Sequence, residues 1–161
     1  MDKNLARWIF QSLASHFKSV ADGISLLYFV EGIDERSNDT MQENHVELRV
    51  SGPELKEVSN GYFNVKVIVN LMFTKNMNEV GADAFDLIQW TGVFADEMLR
   101  PIPIYKKGNG AEDDETLVGC LQVHKGRNEA VRVFHFGQLD KHTRIRQSEV
   151  DVLYGMNYQS S

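Results

Sequence analysis

The sequence predicts an α+β fold: a mostly antiparallel sheet of about five to six strands, with two helices packed on one face. The main observation is Gly61–Thr74, where every second residue from Phe63 to Phe73 is apolar. Such alternation is typical of a strand with one buried face. At about 12 residues it exceeds the usual strand length, so we expect long neighbours on both sides of it. The second observation is the order of predicted elements, which is helix, three strands, helix, three strands.

Length and composition bound the answer further. With 161 residues, 42% hydrophobic and 25% charged, the chain is expected to form a single domain over residues 1–161 with its own core. A net charge of −6 argues against binding nucleic acid through phosphate contacts. The single cysteine, Cys120, excludes an intramolecular disulfide and a cysteine-based zinc site. Asp2 and Arg7 do not fit a signal peptide, and no apolar run reaches membrane-spanning length, so no membrane contact is expected.

The first helix is predicted over Asp2–Val20, where apolar residues recur every four positions. A short, nearly continuous apolar strand follows at Ile24–Val30. The next segment, Gly32–Glu43, is polar and shows no period, so we expect an exposed loop there.

A half-solvated strand is predicted at His45–Ser51 and is expected to end at Gly52-Pro53. The charged segment Glu54–Asn60 then reads as a connection, and Asn60-Gly61 as a turn into the long strand. Together the two alternating strands suggest a large hairpin that protrudes beyond the sheet.

The second helix is predicted over Asn78–Leu99 and is stopped by Arg100-Pro101. A flexible acidic loop is expected at 108–115. The remaining chain predicts three strands joined by turns, followed by a polar tail from Met156. Their bounds are Thr116–His124, Ala130–Phe136 and Thr143–Tyr154. In the last strand the apolar residues change phase, which suggests a bulge or a strong twist near Ser148.

No catalytic motif stands out. None of the five histidines has HExxH spacing or a cysteine partner, no serine lies in a GxSxG context, and Gly108–Gly110 lacks the features of a phosphate loop. His124 and His135 could face each other across a hairpin, but ordinary cross-strand contacts explain them better than a metal pair. We therefore expect no enzyme activity, no metal and no cofactor.

Two charged clusters are candidate contact sites between subunits or with a tube. The acidic run lies in a glycine-flanked loop and lacks the alternating ligands of a calcium loop. Each cluster is open to two interpretations, a merely solvated surface or one half of an intersubunit ion pair. The residues are Asp113, Asp114 and Glu115 in the acidic cluster, and Lys141, Arg144 and Arg146 in the basic cluster.

The chain from about Leu5 to Tyr154 resembles the tail terminator proteins of long-tailed bacteriophages, the lambda type in particular. The resemblance rests on the N-terminal amphipathic helix, the strands HVELRVSGP and GYFNVKVIVNLMFT, the second helix, and the closing segment FHFGQLDKHTRIRQSEVDVLYGM.

The resemblance implies a virion structural protein that assembles in the host cytoplasm. Such proteins form a hexameric ring that caps the tail tube, stops its polymerisation and presents a surface to the head–tail connector or neck protein. The implied partners are other copies of the chain, the tail tube protein and the connector, with DNA passing through the lumen without specific binding. Two alternatives stay open, a head-closure or neck protein of the same junction, and a small α+β enzyme or ligand-binding domain.

Overall fold

The computed structural model describes residues 3–34, 43–78, 81–106, 116–124, 131–138 and 144–160, without the side chains of residues 137 and 138. The predicted loop at 108–115 lies outside these ranges, as does most of the predicted loop at 32–43. The elements in chain order are α1 (Leu5–Gly23), β1 (Leu27–Val30), β2 (His45–Ser59), β3 (Tyr62–Asn76), α2 (Ala84–Met98), β4 (Ile102–Lys106), β5 (Thr116–Val123), β6 (Arg132–Gln138) and β7 (Ile145–Gln159).

Within these described ranges, two helices and a curled sheet confirm the α+β class, but the sheet is mixed and has seven strands. Its order is β1-β2-β3-β7-β5-β4, and β6 pairs with β7 beside β5. β1 runs parallel to β2, whereas the other pairings are antiparallel. The strand that the sequence pattern did not single out is β4, which alternates like the others and buries Ile102 and Ile104 completely.

β3 is central, as its alternation predicts. Its odd-numbered residues from Val65 to Phe73 are at most 1% exposed and define what we call the inner face. Phe73 contacts Phe94 of α2 with ring centroids 5.1 Å apart, and Phe94 stacks on Phe17 of α1 at 6.2 Å. Both helices therefore meet the inner face through one run of aromatic rings. The opposite side of the sheet is the outer face.

α2 begins later than predicted because Asp83 caps it. The Asp83 side chain accepts a hydrogen bond from the backbone N–H of Phe85 at 2.9 Å, which satisfies one of the donors left open at a helix start. The helix then buries Leu87, Thr91 and Phe94 along one side.

The prediction that Gly52-Pro53 ends the second strand is wrong. β2 continues to Ser59 and pairs with β3 along both halves, with a register shift between Ser51 and Glu54. Gly52 absorbs that shift at φ +105°, where a Cβ would lie 3.2 Å from the carbonyl oxygen of Lys66. Glycine tolerates this backbone conformation without steric cost, so the break becomes a bulge and the segment predicted as a connection becomes strand.

The predicted bulge in the last strand is also wrong. β7 pairs with β3 in unbroken register from Ile145 to Gln159, and Ser148 is completely buried opposite Phe73. The change of phase came from a polar residue that occupies an inner-face position. The irregularity lies instead in β6, between Phe136 and Gln138. Met156, predicted to begin a polar tail, is a buried residue of β7.

Candidate interaction surface

Of the six predicted contact residues, the structure describes two. Asp113, Asp114, Glu115 and Lys141 lie outside the described residues. Arg144 is exposed just before β7, and its carbonyl oxygen accepts a 2.7 Å hydrogen bond from the N–H of Met77. Arg146 is half-buried on β7 opposite Lys75 of β3, and its Nε is buried without a hydrogen-bond partner among the described residues. The two arginines thus have different surroundings.

Lys75 is a charged residue that the sequence pattern did not predict to be buried. Its side chain is only 4% exposed, its Nζ lies 3.1 Å from Asp86 of α2, and it packs 5.0 Å from the centroid of the Trp90 ring. A buried ammonium needs such partners because its desolvation is costly. The signal was present in the sequence, since Lys75 continues the odd-numbered series that ends in Phe73.

The outer face carries a row of polar residues across the sheet. Arg132 donates two hydrogen bonds to Asp151, of 2.9 and 2.8 Å, and this contact raises the pKa of Arg132. At the other side, the Nε of Arg49 lies 3.1 Å from Glu31 and 2.8 Å from buried Glu47. Between them, Asn70 of β3 is the register partner of both Arg49 and Asp151 and donates a hydrogen bond to Glu149. Charges of opposite sign therefore follow one another across the face.

β1 and β6 lie at the same level of the sheet, on opposite sides of the central strands β2, β3 and β7. Register partners can be followed from β1 through β2, β3 and β7 to β6. Four such lines of residues cross the sheet, and we call them the shared rows. They are Leu27–His45–Thr74–Gln147–Phe136, Tyr28–Val46–Phe73–Ser148–His135, Phe29–Glu47–Met72–Glu149–Phe134 and Val30–Leu48–Leu71–Val150–Val133.

Apolar side chains are exposed at both ends of the shared rows. Leu27 on β1 is 44% exposed, and on β6 the exposed fractions of Phe134 and Phe136 are 42% and 40%. All three lie on the outer face, in phase with Arg49 and Asp151. A sign of this exposure is visible in the sequence, because β6 carries apolar residues in both alternation phases, which is unusual for a strand with one solvated face.

A cleft opens on the outer face where β5 separates from β7. It has a volume of about 380 Å³, and its lining includes Cys120, Gln122, His124, Lys66 and Asn157. Gly155 forms part of the lining, and a Cβ there would come 3.0 Å from the His124 ring. Amides, an ammonium and an imidazole in this lining can hold a polar molecule.

The histidines that the structure describes do not converge. β5 and β6 pair with different parts of β7, so the suggestion that His124 and His135 face each other is wrong. The N–H of His124 donates to the Leu153 carbonyl, whereas His135 is the partner of Ser148. His16 instead lies between the helices, with its Nε2 3.1 Å from Glu97. Within the described residues no group of three or more metal-ligating side chains comes together.

In the part of the chain that the structure describes, no helix is both long enough and apolar enough to cross a membrane. Comparison of the chain with protein-family models and with curated proteins gave no match.

Proposed function

We propose that this chain is a virion structural subunit of the tail-terminator type. It forms a ring, a hexamer by the resemblance, that caps the tail tube, stops polymerisation of the tube and presents a surface to the head–tail connector. The observation that carries the proposal is the exposure of apolar side chains at both edges of a long-stranded sheet, at one level of the molecule. Strands at a sheet edge that expose apolar side chains are sites of association with other chains.

The architecture agrees with a ring. An interface between two different edges is head-to-tail, and such an interface closes into a ring when the rotation between subunits permits it. The net charge of −6 supports a lumen through which DNA passes, since negative walls do not hold phosphates. Assembly in the host cytoplasm and a place at the head–tail junction of the virion belong to the same proposal.

The charged clusters retain the role that the sequence predicts for them. Asp113, Asp114 and Glu115 of one subunit would face Lys141, Arg144 and Arg146 of the next. Exposed pairs contribute roughly 0–1 kcal/mol each and are screened by salt, so they select a partner more than they hold it. Arg144 is the more available of the two described arginines because Arg146 is half-buried beside Lys75.

The direct test is electron microscopy of the purified protein in negative stain, alone and after addition to purified tail tubes. We expect rings at tube ends, and tubes that no longer elongate when tube protein is added. Binding to isolated connectors but not to tubes would favour a head-closure or neck protein instead. Tubes that stay uncapped and elongate as before, with no binding to connectors, would overturn the proposal.

A ligand-binding domain remains the second candidate, and the cleft beside Cys120 is the observation that favours it. It predicts a stable monomer at all concentrations and a small molecule whose binding raises the melting temperature. Sedimentation over a range of protein concentrations separates this candidate from an assembling subunit.

A further inference from the structure

We propose that neighbouring copies of this chain join through the β6 edge of one copy and the β1 edge of the next, in an antiparallel pairing of defined register. In this joint Leu27 lies opposite Phe136, Tyr28 opposite His135, and Phe29 opposite Phe134. The inference rests on the proposed function in assuming self-assembly, and it names the surfaces that assemble.

Strand direction is the first argument. β1 runs parallel to β2, and three antiparallel steps lead from β2 through β3 and β7 to β6. β6 therefore runs opposite to β1. If the sheet of one copy continues into the sheet of a second copy in the same orientation, the joint is antiparallel. Because β1 and β6 contribute residues to the same shared rows, β1 of one copy can pair with β6 of the next without sliding along the strand direction.

The backbone groups at the two edges also match. The N–H of Glu31 donates to Leu48 of β2 at 2.9 Å, so Tyr28 and Val30, in the alternate phase, direct their N–H and C=O groups away from the sheet. On β7, Leu153 accepts a 2.8 Å bond from His124, so the odd-numbered residues of β7 face β5 and β6.

On β6, the register partners of the odd-numbered β7 residues are Arg132, Phe134 and Phe136, so the backbone groups of these three point toward β7. Val133 and His135 are therefore the residues whose backbone groups point outward. Tyr28 and His135 occupy the same shared row, so they form a hydrogen-bonded pair in the joint.

The joint ends at Val30. The N–H of Val30 donates to the Asp34 carboxylate at 2.7 Å, and its carbonyl accepts from the N–H groups of Ile33 and Asp34 at 3.1 and 3.0 Å. The outward-facing backbone groups of Val30 are thus already hydrogen-bonded within the subunit's own turn and cannot pair with a neighbouring strand. A charged side chain that blunts an edge limits uncontrolled pairing, and a joint of only three rows predicts weak association of the isolated subunit.

Side chains and charges complement each other across the joint. On the outer face the exposed Leu27 meets the exposed Phe136, and Phe29 meets Phe134. Past the last row, the exposed carboxylates of Glu31 and Asp34 lie opposite Arg132, whose side chain is more than half exposed. The polar row of the outer face then continues from one copy to the next with alternating sign, which favours this partner edge over a like-charged one.

The test uses disulfides in the full chain. Leu27 and Phe136 face each other as a non-hydrogen-bonded pair, for which a Cα separation of about 4.5 Å is expected, within the range that a disulfide spans. The starting protein carries Cys120→Ser, so that its only cysteines are the introduced ones. Chains with Leu27→Cys, with Phe136→Cys, and with both are oxidised at high concentration and on tail tubes, then separated on a non-reducing gel.

We expect the double variant to give a ladder of covalent oligomers and the mixture of the two single variants to give one-to-one dimers only. The matched control pairs Phe136→Cys with Ile68→Cys, because Ile68 is exposed on the same face but in the middle of the sheet. The control should give no ladder.

Disulfide dimers of one single variant on its own would show a symmetric joint and overturn the register. A ladder of equal strength in the control, or none in the double variant in either setting, would overturn the joint itself. If the double variant forms rings at tube ends but does not cross-link, the proposed function is supported and this joint is wrong. If concentrated protein gives a ladder but the tubes stay uncapped, this joint is supported and the proposed function is wrong.

Discussion

The two faces of β3 differ sharply in burial and in polarity. On the inner face, Val67, Val69 and Leu71 are sealed under the helices, and the Phe73–Phe94–Phe17 contacts connect three elements. On the outer face of the same strand, Ile68 and Asn70 stand among ion pairs and partly exposed apolar residues. One strand therefore provides stability on one side and a surface for contacts on the other. Substitutions on the two faces should therefore change different measurements.

The largest difference is expected between Val67→Asp and Ile68→Asp. Val67 is 1% exposed, so Asp would place an unpaired carboxylate in the core, at a cost above about 3 kcal/mol, a large share of typical domain stability. Ile68 is 49% exposed, so the same carboxylate stays in water there. We expect Val67→Asp to abolish soluble folded protein and Ile68→Asp to melt close to wild type, as followed by circular dichroism.

Both sites lie on β3, both carry a β-branched aliphatic residue and both receive the same charge, so the main difference between them is the face. A cooperative melt of Val67→Asp near the wild-type temperature would mean that the inner face is not the core.

The helix α2 permits a second comparison, with a smaller expected effect. Phe94 is fully buried between Phe73 and Phe17, so Phe94→Ala leaves a cavity and should cost about 3–5 kcal/mol. Phe85 on the same helix is 74% exposed, and Phe85→Ala should change stability by no more than about 0.5 kcal/mol.

Urea unfolding of both variants measures the two changes. Equal losses for Phe94→Ala and Phe85→Ala would show that the exposed ring also packs, and would contradict the division of α2 into a core side and a solvent side.

The inner face was largely predictable from the sequence, because period-two and period-four patterns depend on burial alone. The α+β class, both helices and the central place of β3 follow from those patterns. The predictions that are wrong depend on a short sequence signal whose effect is changed by contacts with other strands. Gly52-Pro53 looks like a strand end until β3 pairs with both halves of β2. Ser148 interrupts an apolar phase only because a small polar residue is tolerated opposite Phe73.

The contact surface was much less predictable. Charge clusters are visible in a sequence, but edges are a property of the sheet order. That β1 and β6 end the same rows depends on β6 pairing with β7 beside β5, and no residue pattern encodes this arrangement. Lys75 illustrates the same limit: its alternation phase indicates the inner face, but its partners Asp86 and Trp90 come from α2 and cannot be identified from that phase.

The smallest expected effect concerns His16, which lies between the two helices that cover the inner face. Burial lowers the pKa of His16 below its ordinary value of 6.5, and the nearby Glu97 carboxylate opposes this only in part. The unfolded chain therefore takes up a proton as the pH falls through 6.5, while the folded chain still resists it. The stabilising effect of neutral His16 is complete above pH 6.5 and declines below it, until the folded protein is protonated as well.

Urea unfolding at a series of pH values between 7.5 and 5.5 measures this slope, with other titrating groups contributing a background. The variant His16→Gln should remove the part due to His16 and flatten the slope. Glu97→Gln should steepen it, because the carboxylate that favours protonation of the folded state is gone. If His16→Gln leaves the slope unchanged, or if Glu97→Gln flattens it, then burial is not the dominant influence on this histidine. The contact between the helices would in that case be an ordinary solvated ion pair.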